Sequence, residues 1–153
     1  MAHSEKYILF QLAGQTFAVH VEHVISIERL QPITAVPHSK AFIKGVTEIR
    51  NETTAIIDLR ERLHLPVAQA TDQTRILVVM IEGMQVGFIV DRAEDVRDLP
   101  TEQIKEAPLV IADIRNTFLE GIYKLDEELI LLIDIEKLLD FDETNEVRKV
   151  IEE

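Results

Sequence analysis

The chain consists of short runs of apolar residues separated by turn residues. Such runs occupy residues 7–12, 76–81 and 86–90, and residues 17–22 alternate between the two faces expected of a half-buried strand. Further strands are predicted at residues 55–57 and 129–133. Many short strands at close spacing favour an all-β barrel or sandwich over alternating β-α units.

Helices are predicted to be few and short. Asp58 followed by Glu61 resembles a capping box that opens a short helix. A further turn or two of helix is predicted over residues 101–106. Apolar residues recur at helical spacing near the C-terminus, so an acidic helical tail is expected over residues 142–153.

The sequence contains an internal duplication. Residues 42–46, Phe-Ile-Lys-Gly-Val, match residues 118–122, Phe-Leu-Glu-Gly-Ile. The register continues without a gap, so that Asp58 and Asp134 each follow an isoleucine at equivalent positions. An ungapped match of this kind indicates two copies of one structural unit.

A looser match relates residues 9–27 to residues 78–96, so the segments follow the order A, B, A′, B′. This order predicts two β-barrel subdomains of about five strands each, at about residues 7–65 and 75–141. Neither unit is long enough to bury a generous core alone. The two are therefore expected either to pack closely or to exchange strands, and the sequence leaves both arrangements open.

Composition excludes several classes of function. The chain of 153 residues has a formal net charge of −12 and no run of basic residues. This balance argues against binding of nucleic acid, which needs a basic face, and against anchoring on anionic lipid. The absence of cysteine excludes disulfides, thiolate metal sites and a cysteine nucleophile.

The sequence shows no sign of membrane targeting. Its first residues lead directly into a strand-like run and lack the basic-then-apolar pattern of a signal peptide. The longest apolar stretch, residues 76–81, is too short to span a bilayer. A cytoplasmic protein with no direct membrane insertion is expected.

At this point several segments together resemble the CheW family. Residues 42–50 and 56–60 look like its central signature, aromatic-Ile-x-Gly-Val-x-Asn-Leu-Arg-Gly followed by a strand that ends in Asp-Leu-Arg. Residues 33–37 look like the Ile-Thr-x-Val-Pro that precedes it, and residues 86–91 like the family's Val-Gly-hydrophobic-Val-Asp. Residues 118–139 are similar to its last strands and helix, so that the resemblance covers about residues 7–139.

The resemblance implies a fold and a function. The fold is a single CheW-like domain over residues 1–153, made of two intertwined five-stranded SH3-like barrels with a hydrophobic core between them. The function is that of a non-catalytic adaptor, without a cofactor, in bacterial chemotaxis. One surface binds the regulatory domain of the histidine kinase CheA, and another binds the cytoplasmic tip of a chemoreceptor. Membrane association would then come only through receptor arrays.

The resemblance also carries site residues over to this chain. The kinase-facing segment contains Val21, Val24 and Ser26. The region near the receptor-facing groove contains Ile43, Arg50 and Val86.

Arg50 is the leading functional residue of this set. Its guanidinium offers a fork of donors to an acidic or carbonyl partner. The alternative is an intramolecular salt bridge with Glu48 or Glu52, since exposed ion pairs are common and weak.

One part of the signature departs from the family. The family's Asn-Leu-Arg-Gly is Glu48-Ile49-Arg50-Asn51 here, and residues 52–55 replace a more apolar, Pro-containing run. Asparagine tolerates the left-handed conformation that glycine supplies, so the turn is expected to survive. Because the departure lies beside the expected receptor surface, it bears on the choice of partner. An alternative function is therefore a CheW-like adaptor of another kinase pathway, for example in pilus-based motility.

Catalytic and metal chemistry find little support. Asp58 and Asp134 are a candidate acid–base pair, but each opens a predicted helix, which indicates capping. His20 and His23 are close in sequence but lack further ligands at a suitable spacing. Neither a catalytic residue nor a metal ligand is predicted. A small β-barrel enzyme or ligand-binding protein remains the other alternative, and it predicts a concave pocket with convergent polar groups.

Overall fold

The computed structural model describes residues 3–37, 39–106 and 118–152. These residues form ten strands, two α-helices and three short 3₁₀ turns. The strands are β1 (Ser4–Leu12), β2 (Gln15–His20), β3 (Val24–Arg29), β4 (Ile43–Ile49), β5 (Glu52–Asp58), β6 (Arg75–Ile81), β7 (Met84–Val90), β8 (Arg92–Pro100), β9 (Leu119–Leu125) and β10 (Glu128–Ile133). The helices are α1 (Leu59–Arg62) and α2 (Phe141–Glu152), and the 3₁₀ turns are Val21–His23, Thr101–Gln103 and Ile135–Lys137.

The strands form two five-stranded sheets with the same topology. Sheet A has the order β8-β1-β2-β10-β9, and sheet B has the order β3-β6-β7-β5-β4. Each sheet contains one parallel pair, β2 with β10 in sheet A and β7 with β5 in sheet B. Position by position, β8, β1, β2, β10 and β9 of sheet A correspond to β3, β6, β7, β5 and β4 of sheet B. Each strand thus takes the place of its equivalent in the other repeat, as a duplication requires.

The two repeats exchange hairpins. Sheet A combines the N-terminal hairpin β1–β2 with β8, β9 and β10, and sheet B combines the hairpin β6–β7 with β3, β4 and β5. The chain therefore leaves sheet A after β2, builds all of sheet B, and returns to sheet A at β8. Of the two arrangements that the sequence left open, the structure has the exchanged one.

Equivalent backbone contacts hold the repeats in the same way. The Asp58 amide donates to the Phe42 carbonyl at 2.9 Å, and the Asp134 amide donates to the Phe118 carbonyl at 2.7 Å. The side chains of both aspartates accept from the backbone of the following turn, so both are helix caps, as the sequence indicated. The capping box predicted at Asp58 is only half formed, because the Glu61 carboxylate contacts Lys44 instead of reaching back to the cap.

Isolated bridges repeat as well. One joins Thr34 to Val46 and the other joins Lys105 to Ile122, in each case beside the glycine of the Phe-x-x-Gly motif. At Gly45, where φ is +144°, an added Cβ would lie 2.0 Å from the Thr34 carbonyl oxygen. The glycine is therefore required by the close approach of a second backbone.

Buried side chains form three clusters. A central core lies between the sheets and includes Phe10 and Phe17, whose rings stack with centroids 5.6 Å apart, together with Leu77 and Phe88. Sheet A encloses a smaller cluster made of Tyr7, Leu9, Ala18, Leu99, Tyr123, Ile130 and Leu132. Sheet B encloses another made of Ile49, Ile56, Ile76 and Val78. Burial between the two sheets explains why the exchanged halves stay together.

Helix α2 is an integral part of this core. Asp140 and Glu143 form a reciprocal capping box, with the Glu143 amide donating to Asp140 at 2.8 Å and the Asp140 amide donating to Glu143 at 2.9 Å. Val147 and Val150 are buried in the central core, and the helix packs on β4 and β5. The expected acidic tail is thus a docked helix that begins at Phe141, and Glu153 lies outside the described residues.

Within the described ranges, no helix combines the length and the apolar character needed to cross a membrane.

Candidate docking surfaces

Arg50 lies at the tip of the hairpin that joins β4 to β5. Arg50 and Asn51 have φ values of 54° and 65°, so the two residues form a type I′ turn between the paired Ile49 and Glu52. Asn51 therefore adopts the left-handed conformation expected for the residue that replaces the family's glycine. The predicted turn survives the substitution.

The Arg50 side chain projects into solvent. It is exposed, and so are the neighbouring Glu48 and Glu52. Among the residues that the structure describes, Arg50 makes no hydrogen bond or ion pair. The salt bridge weighed as the alternative role is absent from this part of the chain, so its guanidinium donors are available to a partner.

A buried polar network holds this turn from beneath. The Gln85 side chain, 7% exposed, donates from Nε2 to the Ile49 carbonyl at 2.8 Å and to Thr54 Oγ1 at 2.7 Å. Thr54 Oγ1 in turn contacts the Glu52 carbonyl at 3.1 Å. The sequence reasoning did not identify Gln85. The signal that could have found it is a long amide side chain within an otherwise apolar strand.

Ile43 and Val86 lie beneath the surface. Ile43 is 4% exposed and Val86 is fully buried, and both belong to the central core. The resemblance placed them near the groove beside Arg50, but the structure does not bring their side chains to the surface with it. Because both side chains are buried, a partner at this edge would meet the turn and not these two residues.

The predicted kinase-facing segment consists of the 3₁₀ turn Val21–His23 and strand β3, which is the opposite edge of sheet B. Val21, Val24 and Ser26 are half-buried, and both valines pack against the central core. Strand β3 pairs with β6 on one side and is the last strand in the order of the sheet. Its other backbone edge is paired with no strand among the described residues. An unpaired edge presents free N–H and C=O groups with which a strand of another chain can pair.

Apolar side chains are exposed along the same edge. Ile27 and Leu30 are 39% and 40% exposed, and Met80 on the neighbouring strand is 45% exposed. The Ser26 hydroxyl is buried and has no hydrogen-bond partner within the described structure. Ile27, Leu30 and Met80 were not singled out from the sequence, because exposure of an apolar side chain cannot be read from its identity.

His20 on β2 contacts carboxylates of β1 and β9 in sheet A. His20 Nδ1 lies 3.2 Å from a Glu5 carboxylate oxygen, and His20 Nε2 lies 3.7 Å from a Glu120 carboxylate oxygen. Tyr7 packs on the imidazole, and burial raises the pKa of its hydroxyl. Partial burial likewise raises the pKa of Glu120.

Arg60 and Asp91 join two of the sequence motifs. Arg60 Nε donates to Asp91 Oδ1 at 2.7 Å and Nη2 donates to Oδ2, while the Ala13 amide donates to the same carboxylate at 2.8 Å. These donors, the Arg60 side chain first, lower the pKa of Asp91. Asp91 lies where the chain passes from β7 in sheet B to β8 in sheet A, so the pair fixes the crossing between sheets.

The described residues contain no group of three or more His, Asp or Glu side chains placed to hold a metal ion. Asp58 and Asp134 act as caps and do not converge on a common pocket lining. The described residues thus present an exposed arginine turn at one edge of sheet B and an unpaired strand with exposed apolar side chains at the other.

Comparison with known proteins identifies the relationship that this geometry indicates. The model of the CheW-like domain matches residues 6–143. The chain belongs to the CheW family. It is 38% identical over 136 residues to chemotaxis protein CheW of Bacillus subtilis (strain 168), in a match that covers 89% of this chain and 87% of that protein. It is 31% identical over 139 residues to chemotaxis protein CheW of Klebsiella aerogenes, which covers 91% and 84% of the two chains.

A solved structure supports the CheW fold. The crystal structure of the scaffolding protein TtCheW from Thermoanaerobacter tengcongensis matches with a TM-score of 0.82 at 28% identity, over 92% of this chain and 90% of that chain. The predicted all-β architecture with two intertwined five-stranded units is confirmed. The described strand pairs do not close either sheet into a complete barrel, but the arrangement is consistent with an SH3-like fold.

Proposed function

We propose that this CheW-like protein is a non-catalytic adaptor that couples methyl-accepting chemotaxis receptors to a CheA-type histidine kinase in the cytoplasm. The observation that carries the proposal is the match to the CheW-like domain over residues 6–143, on a fold similar to that of a scaffolding protein. Relatives named as chemotaxis proteins support the same pathway.

The receptor is proposed to bind at the Arg50 turn. Arg50 is exposed and unpaired within the described residues, and an arginine fork suits carboxylate or carbonyl groups on a helical hairpin. Ile43 and Val86 support this region from within, because both are core residues of the strands beneath it. The receptor contact itself is made by the turn.

The kinase regulatory domain is proposed to bind at the β3 edge. Val21 and Val24 fix this segment on the core, and Ser26 lies within the strand. Ile27 and Leu30 add exposed apolar surface. A partner strand that pairs with β3 would satisfy its free backbone groups and cover these side chains.

Two partners can bind at once because the two surfaces lie at opposite edges of one sheet. Strands β3 and β4 are separated by β6, β7 and β5 in sheet B. An adaptor needs such separation, since simultaneous binding fails when two partners compete for one surface.

The proposal excludes a reaction or cofactor of the adaptor's own. The carboxylates with the clearest local roles act as helix caps or ion-pair partners: Asp58, Asp134 and Asp91. The described surface depressions are open and are lined by charged side chains of α2 and β8. These features do not favour an enzyme or a ligand-binding barrel.

A CheW-like adaptor of another kinase pathway is the second candidate. The observation that favours it is the departure over residues 48–55, where Asn51 occupies the glycine position and Glu52 opens the next strand. Because this turn is the proposed receptor contact, a changed turn is compatible with a different receptor. Titration against receptor tips from different pathways separates the two candidates.

The test is a pair of calorimetric titrations, against the isolated CheA regulatory domain and against a chemoreceptor signalling-tip fragment, both from the same genome. Arg50→Glu is expected to weaken receptor binding by at least about tenfold and to leave kinase binding unchanged. Ile27→Lys is expected to have the reverse effect. Both side chains are exposed, so each variant is the folding control for the other.

Absence of binding between the unmodified protein and the kinase domain would contradict the chemotaxis assignment. Loss of kinase binding in Arg50→Glu alone, with the fold intact, would keep the adaptor function but exchange the two proposed surfaces.

A further inference from the structure

Gln85 is an unusual residue for its position in sheet B. It lies on β7, and the side chains of Val86 and Phe88 on the same strand are fully buried in the central core. A buried side-chain amide destabilises a protein unless its donors and acceptor find partners. The structure supplies partners for its donors in the Ile49 carbonyl and Thr54 Oγ1. Gln85 is thus held by, and holds, the hairpin that carries Arg50.

The bonded groups lie on both sides of the Arg50 turn. Ile49 immediately precedes Arg50, and Glu52 immediately follows Asn51. The Gln85 amide bonds the Ile49 carbonyl directly, and Thr54 links the amide to the Glu52 carbonyl. Both strands of the hairpin are therefore fixed at the residues that flank the turn.

This turn needs such support. A type I′ turn requires positive φ at two successive residues, and glycine is the residue that adopts positive φ without steric strain. The turns at residues 13–14 and 82–83 place a glycine at the second position, whereas this turn has Asn51 with φ 65° after Arg50 with φ 54°. Two successive residues with side chains at positive φ cost conformational energy. Such a strained conformation persists only where the surrounding structure determines the geometry.

The Gln85 contact includes a residue of the segment that departs from the family signature. Thr54 belongs to the polar segment that replaces the family's more apolar run, and its hydroxyl is fully buried against the Gln85 amide. Asn51, Thr54 and Gln85 therefore form one unit. The strained residue lies at the tip, and two buried polar side chains lie beneath it.

We propose that Gln85 is a positioning residue for Arg50, which fixes the Arg50–Asn51 turn in the geometry that presents the guanidinium to a receptor. The inference rests on the proposed function of Arg50 as a receptor contact. Gln85 itself is buried and touches no partner, so its effect passes through the backbone carbonyls of Ile49 and Glu52.

The test replaces the polar pair by apolar residues of similar size. The double variant Thr54→Val with Gln85→Leu removes both partners together, so that neither remains buried and unsatisfied. Arg50→Ala is then introduced into the unmodified protein and into this double variant, which forms a thermodynamic cycle. Affinity is measured for a chemoreceptor signalling-tip fragment and for the CheA regulatory domain from the same genome.

In the unmodified protein, Arg50→Ala is expected to weaken receptor binding about tenfold. In the Thr54→Val, Gln85→Leu background, Arg50→Ala is expected to weaken receptor binding about threefold or less. The reason is that the turn no longer holds Arg50 in the receptor-binding geometry before the receptor binds. Kinase affinity should change less than about twofold throughout, since β3 lies at the other edge of the sheet. An equal effect of Arg50→Ala in both backgrounds would overturn the proposal.

Amide hydrogen exchange supplies a second measurement that does not depend on a receptor. Exchange at the Glu52 amide, in the Ile49–Glu52 pair that closes the turn, is expected to accelerate about tenfold in the double variant, while amides of β1 and β2 keep their rates. Unchanged exchange at the turn would show that Gln85 does not hold it. If Arg50→Ala leaves receptor affinity unaltered in both backgrounds, the receptor role of Arg50 fails, and the exchange rates alone decide whether Gln85 holds the turn.

Discussion

The turns at Arg50–Asn51 and Asp126–Glu127 occupy equivalent positions in the two repeats and differ in charge. Arg50 has φ 54° and Asp126 has φ 55°, so the backbone enters both turns in the same way. One turn presents a guanidinium and the other a carboxylate. Only the Arg50 turn continues with a second positive φ, at Asn51, so the two equivalent hairpins differ in backbone conformation as well as in surface charge.

The two turns also differ in how the neighbouring strand holds them. In sheet B, Gln85 on β7 bonds the Ile49 carbonyl that directly precedes the turn, at 2.8 Å. In sheet A, Gln15 on β2 bonds the Leu129 carbonyl at 2.7 Å, and Thr16 donates to the Glu128 side chain. Sheet A therefore fixes the strand after its turn, whereas sheet B fixes both sides.

The largest predicted difference between the repeats concerns the glycines of the Phe-x-x-Gly motifs. An added Cβ would lie 2.0 Å from the Thr34 oxygen at Gly45, but 2.9 Å from the Lys105 oxygen at Gly121. Gly45→Ala is expected to lower the free energy of unfolding by at least about 3 kcal/mol, and Gly121→Ala by about 1 to 2 kcal/mol. Denaturant unfolding measures both.

Gly14→Ala is the control for backbone strain, since φ is +81° there and nothing lies within 4 Å of the added Cβ. Its expected cost is about 1 kcal/mol. Equal destabilisation by all three substitutions would show that the close backbone approach at Gly45 does not distinguish the repeats.

The tie between Arg60 and Asp91 has no equivalent in the other half. At the corresponding positions the chain has Glu136 and Glu22, which cannot pair. Asp91→Asn is expected to lower the free energy of unfolding by about 2 kcal/mol at neutral pH, because Arg60 loses its partner in a partly buried site. Arg60→Ala should cost a similar amount.

The same pair sets a pH dependence. The pKa of Asp91 is lowered in the folded protein from the usual value of 3.8, so its stabilising contribution is complete above that value. It is lost as the pH falls through the lowered folded pKa. Below pH 4, the stability difference between the unmodified protein and Asp91→Asn should therefore shrink, as measured by denaturant unfolding across pH. A difference that stays constant down to pH 2 would contradict the pairing.

The capping aspartates should behave alike in the two repeats. Asp58 accepts from the Glu61 amide and Asp134 accepts from the Glu136 amide. Replacement of either by alanine is expected to lower the free energy of unfolding by about 1 kcal/mol. Thermal unfolding of the two variants tests this equality. A loss of binding without loss of stability in one of them would assign that aspartate a role beyond capping.

The smallest predicted effect is at Asn51. Asn51→Gly removes the strain of a side chain at φ 65° and is expected to raise the free energy of unfolding by about 0.5 kcal/mol. Asp126→Gly, at the position equivalent to Arg50, removes the strain at φ 55° in the other turn and should raise the free energy of unfolding by a similar amount. Destabilisation by Asn51→Gly would mean that its side chain makes a contact that the strain argument omits.

The sequence predicts the strands and the repeat because both depend on local signals. Short apolar runs and the matched Phe-x-x-Gly motifs are visible in the chain, and equivalent bonds from Asp58 to Phe42 and from Asp134 to Phe118 follow from them. The exchange of hairpins between the repeats is not predicted by these local signals. Either hairpin offers the same apolar face to either partner, so the pattern does not specify which repeat completes which sheet.

The sites are predicted less completely for a similar reason. Arg50 is charged and lies beside a turn signal, and it is exposed as expected. Ile43 and Val86 are apolar residues on strands, and only the packing of the second sheet decides that they are buried. Gln85 is meaningful only through its distances to Ile49 and Thr54, which are far from it in sequence.

The most direct test of the account exchanges the charges of the two equivalent turns. Arg50→Glu and Asp126→Arg are each titrated calorimetrically with the chemoreceptor tip fragment from the same genome. Arg50→Glu is expected to weaken binding at least about tenfold, and Asp126→Arg to change it less than about twofold. Equal weakening by both substitutions would contradict the proposal that only the Arg50 turn binds the receptor. Weakening by Asp126→Arg alone would contradict it as well.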